Sequence, residues 1–392
     1  YMYRVRDDAA SLPDSGATAV QNDSLVHASS RTLQLPRPVM TLAPVRVDAA
    51  LDRARRLAPT AFVTTLGAGR DTRATASLRD ALMEAAGVRV TQYGGMGAFS
   101  AMSLRGAPPG HVTVLLDGVP LTSAAHGIVD LADLPATAVE AIEVYRGAAP
   151  GSLATPTPGG AVNLLTRSGA DVRSLRLATG SFGTDEAQAS FGAHHGAWSM
   201  LAHAGWQGSN SDFRYLNDNG TPLESADDAM MTRRNARFDA ASGLVHAAFA
   251  PGDRLQGSAQ AEYFRRGQGV PGPVTTPAHA ARFGAERLVL AARARLGNGA
   301  AWPAIEWRAN GARERSNLRD TAGELGYGRV DTRERFADAG GSLELSSPAR
   351  WRSLSLEGGA ALRSETAHPA APSMGLPDPG PSHRDTRAAW IG

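Results

Sequence analysis

Three groups of residues in this chain carry side chains that could do chemistry. Asp117 closes an apolar run in VTVLLDGVPL, residues 112–121, where a carboxylate at a strand end could serve as a general base. Asp212, Asp218, Asp227 and Asp228 lie in a polar stretch around LNDNG and bring together several hard oxygens, the donors that Ca²⁺ prefers. His194, His195 and His203 offer imidazoles. None of the three makes an enzyme. No nucleophile, histidine partner or second carboxylate stands at a useful spacing from Asp117. Asp-Gly between apolar runs is also a turn signal, because Gly takes positive φ freely and Asp bonds its own backbone. Asp117 therefore reads as a turn residue. The aspartates lack EF-hand spacing, so calcium competes with an ordinary Asn/Asp-rich turn. Adjacent His194 and His195 point to opposite faces of a strand and do not share an ion. GAGR (67–70) and GGMG (94–97) are too short and misplaced for phosphate loops.

Composition narrows the class further. Forty basic residues, all arginine, face 38 acidic ones, a net charge of +2 with no basic run. That argues against a nucleic-acid binder. The absence of cysteine excludes disulfides, thiol catalysis and Cys-ligated metals. No apolar run is long enough for a transmembrane helix, and no secretory signal opens the chain. Both ends read as cuts in a longer sequence.

The elements fall into two kinds. Residues 1–40 are polar and without period, and read as disordered. MTLAPVRVDAA, 40–50, is a short extended apolar patch, followed by a charged linker to about residue 59. From 60 to 168 the pattern is α+β. A helix is expected over 77–87, capped by Ser77 and ended by Gly87, and strands over 88–92, 100–104, 112–116, 141–145 and 161–166. From 169 to 392 period two takes over. Trp198, Met200, Ala202, Ala204 and Trp206 oppose Ser199, His203 and Gln207; Leu288, Leu290 and Leu296 oppose Arg287, Arg293 and Arg295; Ile305 and Trp307 oppose Glu306 and Arg308. Such segments are longer than the strands of soluble proteins and match those of membrane barrels, apolar outside and polar inside. GSFGTD and APGD read as the short turns of one end, and 209–232, 267–284 and 367–383 as the long loops of the other. About ten such strands are expected.

The run SLRG (103–106), VTVLLDGVPL, DLADLP (130–135), VEAIEVYRG (139–147) and GGAVNLLTR (159–167), in this order and spacing, resembles the TonB-dependent outer-membrane receptors, and within them the vitamin B12 and catecholate-siderophore branch. The resemblance implies an N-terminal plug inside a 22-stranded transmembrane β-barrel, of which this chain carries plug and about ten strands. It implies an outer-membrane transporter, not an enzyme, for a bulky scarce solute such as an iron–siderophore complex or cobalamin. TonB, with its ExbB/ExbD energising complex, would pull on a coupling segment matching Thr41, Leu42, Ala43, Pro44, Val45, Arg46 and Val47. Membrane lipid and the solute are the other implied partners. The receptor would be a monomer, with no nucleic acid, no obligatory cofactor, and calcium at most in an outer loop. Arg105 and Arg146 match plug arginines that lock against barrel glutamates, with Glu140 and Glu143 as local candidates. Tyr93, Met96 and Phe99 would face ligand at the plug tip. Two prolines in GSLATPTP depart from the family pattern. The rival expectation is a soluble periplasmic β-rich interaction protein with a plug-like domain.

Overall fold

The computed structural model describes residues 63–67, 78–93, 97–121, 127–134, 139–147, 149, 158–166, 172–221, 223–297, 303–351, 354–370 and 380–391. The expected disordered segment 1–40, the coupling segment and linker 41–59, Ser77 and Met96 lie outside them.

The first body is a small mixed sheet. Its strands are β1 (Val63–Gly67), β4 (Thr113–Leu116), β5 (Val119–Pro120), β6 (Val139–Tyr145) and β7 (Ala161–Thr166), in the order β1-β6-β7-β4-β5. Only the β4–β7 pair is parallel. A hairpin of β2 (Val88–Gln92) and β3 (Ser100–Leu104) and the helix α1 (Leu78–Met83) complete it. Every residue of β4 is buried, as for a strand covered on both faces. One face packs Leu82, Leu104, Leu116, Ile142, Val144 and Leu164; the other packs Leu115, Tyr145 and Ala161.

VTVLLDGVPL proves to be a complete hairpin. Leu116 pairs with Val119, leaving Asp117 and Gly118 as a two-residue loop with φ of 49° and 84°. Two successive positive φ values are the signature of a type I′ turn, for which Asp-Gly is a preferred pair. The helix is shorter than its sequence promises. After Met83 the bonds tighten to i→i+3, from Glu84 to Ala81 and Ala85 to Leu82, and Gly87 turns the chain at φ 84° into β2.

The second body is a ten-stranded antiparallel sheet. Its strands are β8 (Arg173–Gly180), β9 (Thr184–His195), β10 (Trp198–Ser209), β13 (Phe238–Gly252), β14 (Leu255–Gly269), β15 (Arg282–Leu296), β16 (Ala304–Asp320), β17 (Val330–Trp351), β18 (Leu354–Ala370) and β19 (Ser382–Ile391), all paired in sequence order. A short hairpin, β11 (Arg214–Asn217) and β12 (Ala229–Thr232), rises from the β10–β13 connection. One expectation is corrected here. GSFGTD was grouped with the short turns, yet the Phe182 carbonyl accepts the Asn210 amide at 3.0 Å, at the start of the longest loop. Strand parity requires this, because the β8–β9 connection must lie opposite the turn at Gly196–Ala197.

Alternation has the expected sign. Trp198 (55% exposed), Met200, Trp206, Leu290, Trp307 and Leu343 are exposed on one face, while Ser190, His203, Glu262 (0%), Arg266, Arg287, Glu306, Asp338 and Glu365 are buried on the other. A soluble sandwich needs the reverse, apolar side chains between its sheets. This wall hides its charges and shows its leucines, which removes the rival reading. No helix among the described residues is long and apolar enough to cross a membrane.

Placing an arginine at Leu290, in the outward apolar band, should destabilise the wall by about 2–4 kcal/mol, the cost of a charge near the bilayer midplane. The loss of heat-modifiable migration at lower denaturant concentration measures it.

Candidate functional site

The site is the junction where the small domain meets the polar face of the wall. Strand β14 presents Gln260, Glu262, Phe264 and Arg266 to that face by simple alternation. Two of them reach across. Gln260 donates its amide to the Asp117 carboxylate at 2.9 Å. Arg266 donates to the Asp130 carboxylate at 2.7 Å and to the Gly97 carbonyl at 2.6 Å, with its guanidinium 4.8 Å from the Phe283 ring. Around them Val289 enters the small domain's core cluster, and Ala291 and Ala312 pack against it.

Asp117 is therefore the turn residue its sequence promises, and also an anchor. It accepts from the Thr166 amide (3.0 Å) and hydroxyl (2.7 Å), tying the I′ turn to the end of β7. Asp130 is the residue that sequence reasoning missed. One of its oxygens accepts from the amides of Ser100 (2.9 Å) and Ala132 (3.0 Å), capping the 3₁₀ turn Leu131–Asp133 and holding the start of β3. The other meets Arg266, so the capping carboxylate is also an ion-pair partner. An Asp before a helical turn was a visible cap signal; its partner, 136 residues away, was not.

The tip between β2 and β3 is fastened by the same arginine. The Tyr93 amide donates to the Phe99 carbonyl at 3.0 Å, and the two rings stand 5.9 Å apart. Tyr93 is 71% exposed and Phe99 42%. Gly97 has φ 73°, and a Cβ there would overlap the Phe238 ring of β13. Glycine is required by both backbone and neighbour. Tyr93 and Phe99 thus share the tip; Met96 lies outside the described residues.

Arg105 and Arg146 make bonds within the small domain. Arg105 donates to the Arg146 carbonyl at 3.0 Å; Arg146 donates to the Ala86 carbonyl at 2.8 Å and the Thr64 hydroxyl at 2.7 Å. These bonds staple β1, α1's turn, β3 and β6 together within the small domain. Glu143 is buried and accepts from Tyr145 (3.0 Å) and Asn163 (2.8 Å), not from either arginine. Glu140 is half-buried on β6.

Asp212, Asp218, Asp227 and Asp228 flank the β11–β12 hairpin. Asp218 accepts the Gly220 amide at 3.1 Å and Asp227 the Thr221 hydroxyl at 2.9 Å, both local turn bonds. Among the described residues no three His, Cys, Asp or Glu side chains converge on one point. His203 pairs with the Ser190 hydroxyl at 2.8 Å inside the wall, while His194 and His195 are exposed at the end of β9. At the long-loop end Glu324 accepts the amides of His279 (2.8 Å) and Ala280 (2.7 Å), clipping two loops together. Those amides, Ala280 first, hold its carboxyl below the ordinary value.

Residues 61–161 match the TonB-dependent Receptor Plug Domain. Over 104 residues the chain is 33% identical to the vitamin B12 transporter BtuB of Vibrio cholerae, covering 26% of this chain and 17% of that protein. Its fold is similar to the siderophore receptor PirA of Acinetobacter baumannii (TM-score 0.64, 14% identity, 87% of this chain and 55% of that one). It is also similar to the ferric citrate transporter FecA in its unliganded form (TM-score 0.61, 16% identity, 83% and 51%). The chain spans about half the length of these solved receptors and under a fifth of the sequence relative.

Two outcomes follow for the junction. Arg266→Ala strands a buried carboxylate and should lower the stability of the small domain by about 3–5 kcal/mol, read from its urea midpoint in the assembled protein. Glu324 has a depressed folded pKa, so its clip is present above its ordinary value of 4.5 and is lost as pH falls through the lower folded value. The protection factor of the Ala280 amide should fall on that acidification, and in Glu324→Gln it should be low at every pH.

Proposed function

We propose that this chain, which belongs to the TonB-dependent receptor family, forms the plug and part of the barrel of an active-transport receptor for a bulky, scarce solute. TonB-dependent receptors are transporters, not enzymes, and reside in the outer membrane of Gram-negative bacteria. The observation that carries the proposal is the docking of the plug on the polar inner face of a lipid-facing wall, through Asp117–Gln260 and Asp130–Arg266. The side-chain bonds that hold the plug are polar, and among the described residues the wall adds only Val289, Ala291 and Ala312 to its core cluster, so moving the plug exposes little apolar surface.

The solute meets the aromatic tip, Tyr93 and Phe99, from the side of the long loops. The reading extends to an iron–siderophore complex or a corrinoid. Its support is that the similar proteins are named for vitamin B12, siderophore and ferric citrate transport. Energy enters through TonB and ExbB/ExbD at Thr41–Val47, a short apolar run whose sequence suits it to adding a strand to a partner's sheet edge.

Proline cannot donate to such a ladder. Val45→Pro should abolish uptake of the iron–siderophore or cobalamin supplied as sole source, while whole-cell binding of the same solute stays intact. Uptake at the native rate would overturn the coupling assignment.

A further inference from the structure

The connection between β14 and β15, residues 270–281, is built largely by its own bonds. The Val270 amide donates to the Ala281 carbonyl and the Ala278 amide to the Pro271 carbonyl, both at 2.9 Å. Two side chains from the segment before β13 hold it from outside. The Asn235 amide group donates to the carbonyls of Val270 (3.0 Å) and Ala281 (2.9 Å), and Arg233 donates to the Gly272 carbonyl at 2.6 Å. Ala278 and Ala281 are fully buried, and His279 and Ala280 stand exposed between them. None of these bonds uses the amides of His279 or Ala280. The loop therefore presents two successive N–H groups whose place does not depend on what they bind. Successive N–H groups converging on one point form a nest, a concavity that takes anions.

A carboxylate already sits there. One oxygen of Glu324, Oε2, accepts from Ala280 (2.7 Å) and His279 (2.8 Å), and the Ala281 amide and the His279 side chain also favour its charge. Glu324 belongs to a different connection, residues 321–329 between β16 and β17. That loop has its own anchor, because the Asp320 carboxylate accepts the amides of Glu324 (3.0 Å) and Leu325 (2.8 Å). Farther along, Tyr327 is 80% exposed. The nest is thus supplied by one loop and its occupant by another, and each loop is organised without the contact between them. A site that holds a carboxylate but does not need it for its own fold can exchange it for another. We propose that the His279–Ala280 nest is a subsite for a carboxylate group of the incoming solute, and that Glu324 is a tethered stand-in which the solute displaces, releasing loop 321–329 from loop 270–281. The inference rests on the receptor reading and narrows its solute to one with free carboxylates. A stand-in weakens its rival by the fraction of time it fills the site.

The test uses the full receptor containing this chain, purified in detergent, with tricarballylate as the probe and its uncharged trimethyl ester as the control. A spin label on Tyr327→Cys reports the motion of loop 321–329; the chain has no cysteine of its own. Tricarballylate should mobilise the label, and the ester should leave it unchanged. In Glu324→Ala the label should be mobile from the start. Calorimetry on that variant should show tricarballylate binding about tenfold tighter than to the native protein, the removal of a competitor worth one charged hydrogen bond. Ala280→Pro, added to Glu324→Ala, deletes one of the two donors and should abolish binding. Should the proline variant fail to fold, the comparison of native with Glu324→Ala and of acid with ester decides alone. Equal affinity in native and Glu324→Ala proteins, equal binding of the ester, a label indifferent to tricarballylate, or binding that survives the proline would each overturn the subsite. Active uptake confined to solutes without free carboxylates would also overturn it and leave the transport reading intact. Absence of all active uptake would instead overturn the transport reading, with the binding measurements unaffected.

Discussion

A strand that must face hydrocarbon on one side and an aqueous, charged lumen on the other allows few compromises. Every backbone N–H and C=O has to bond within the ladder, since lipid offers no partner. The side chains then sort by parity alone. The inner charges survive because they are paired across strands. Glu306 lies between Arg293 (2.6 Å) and Arg308 (2.5 Å), and Glu365 between Arg363 (3.3 Å) and Arg384. In each bracket one guanidinium comes from the carboxylate's own strand and the other from the neighbouring strand, so the carboxylate links two strands. Buried ion pairs of this kind add little net stability. Their effect is on register. A one-residue slip would turn Glu306 and Arg308 into lipid and Trp307 into the lumen.

The same parity creates the plug's dock. Once β14 is committed to the wall, Gln260 and Arg266 both face inward, six residues apart. At about 3.3 Å per residue they grip the plug at two points roughly 20 Å apart along the strand. One grip holds a strand-to-strand turn and the other holds the tip loop. The tip-loop grip joins three parts of the plug through a single carboxylate: Ser100 at the start of β3, the turn at Ala132, and, through Arg266, the carbonyl of Gly97. Displacement of the tip loop would therefore act on Asp130 as well, and through it on the turn that Asp130 caps.

How much of this was legible depends on how far apart the partners lie. The Asp117–Gly118 turn and the alternation of Trp198, Met200 and Trp206 are local patterns, and both appear in the structure as the sequence implies. The end of α1 was misjudged because apolar spacing continues past Met83 while Gly87 forces the exit. The role of Asp130 was hidden, because a cap and an ion pair use different oxygens of one side chain and the second partner comes from another body. The bonds of Arg105 and Arg146 to backbone carbonyls and Thr64 inside the plug were not legible either, because no charge pattern announces them.

The contrast between the two bodies explains where sequence resemblance resides. Plug strands such as β4 and β7 are buried on both faces, and the plug also needs particular residues at positive φ, among them Asp117, Gly118 and Gly97. Few substitutions satisfy a position enclosed on all sides. A wall residue has only to be apolar outside or polar and paired inside, a condition many sequences meet. Identity accordingly reaches 33% over a plug-sized stretch of 104 residues, while over 83–87% of the chain the fold is shared with solved receptors at 14–16%.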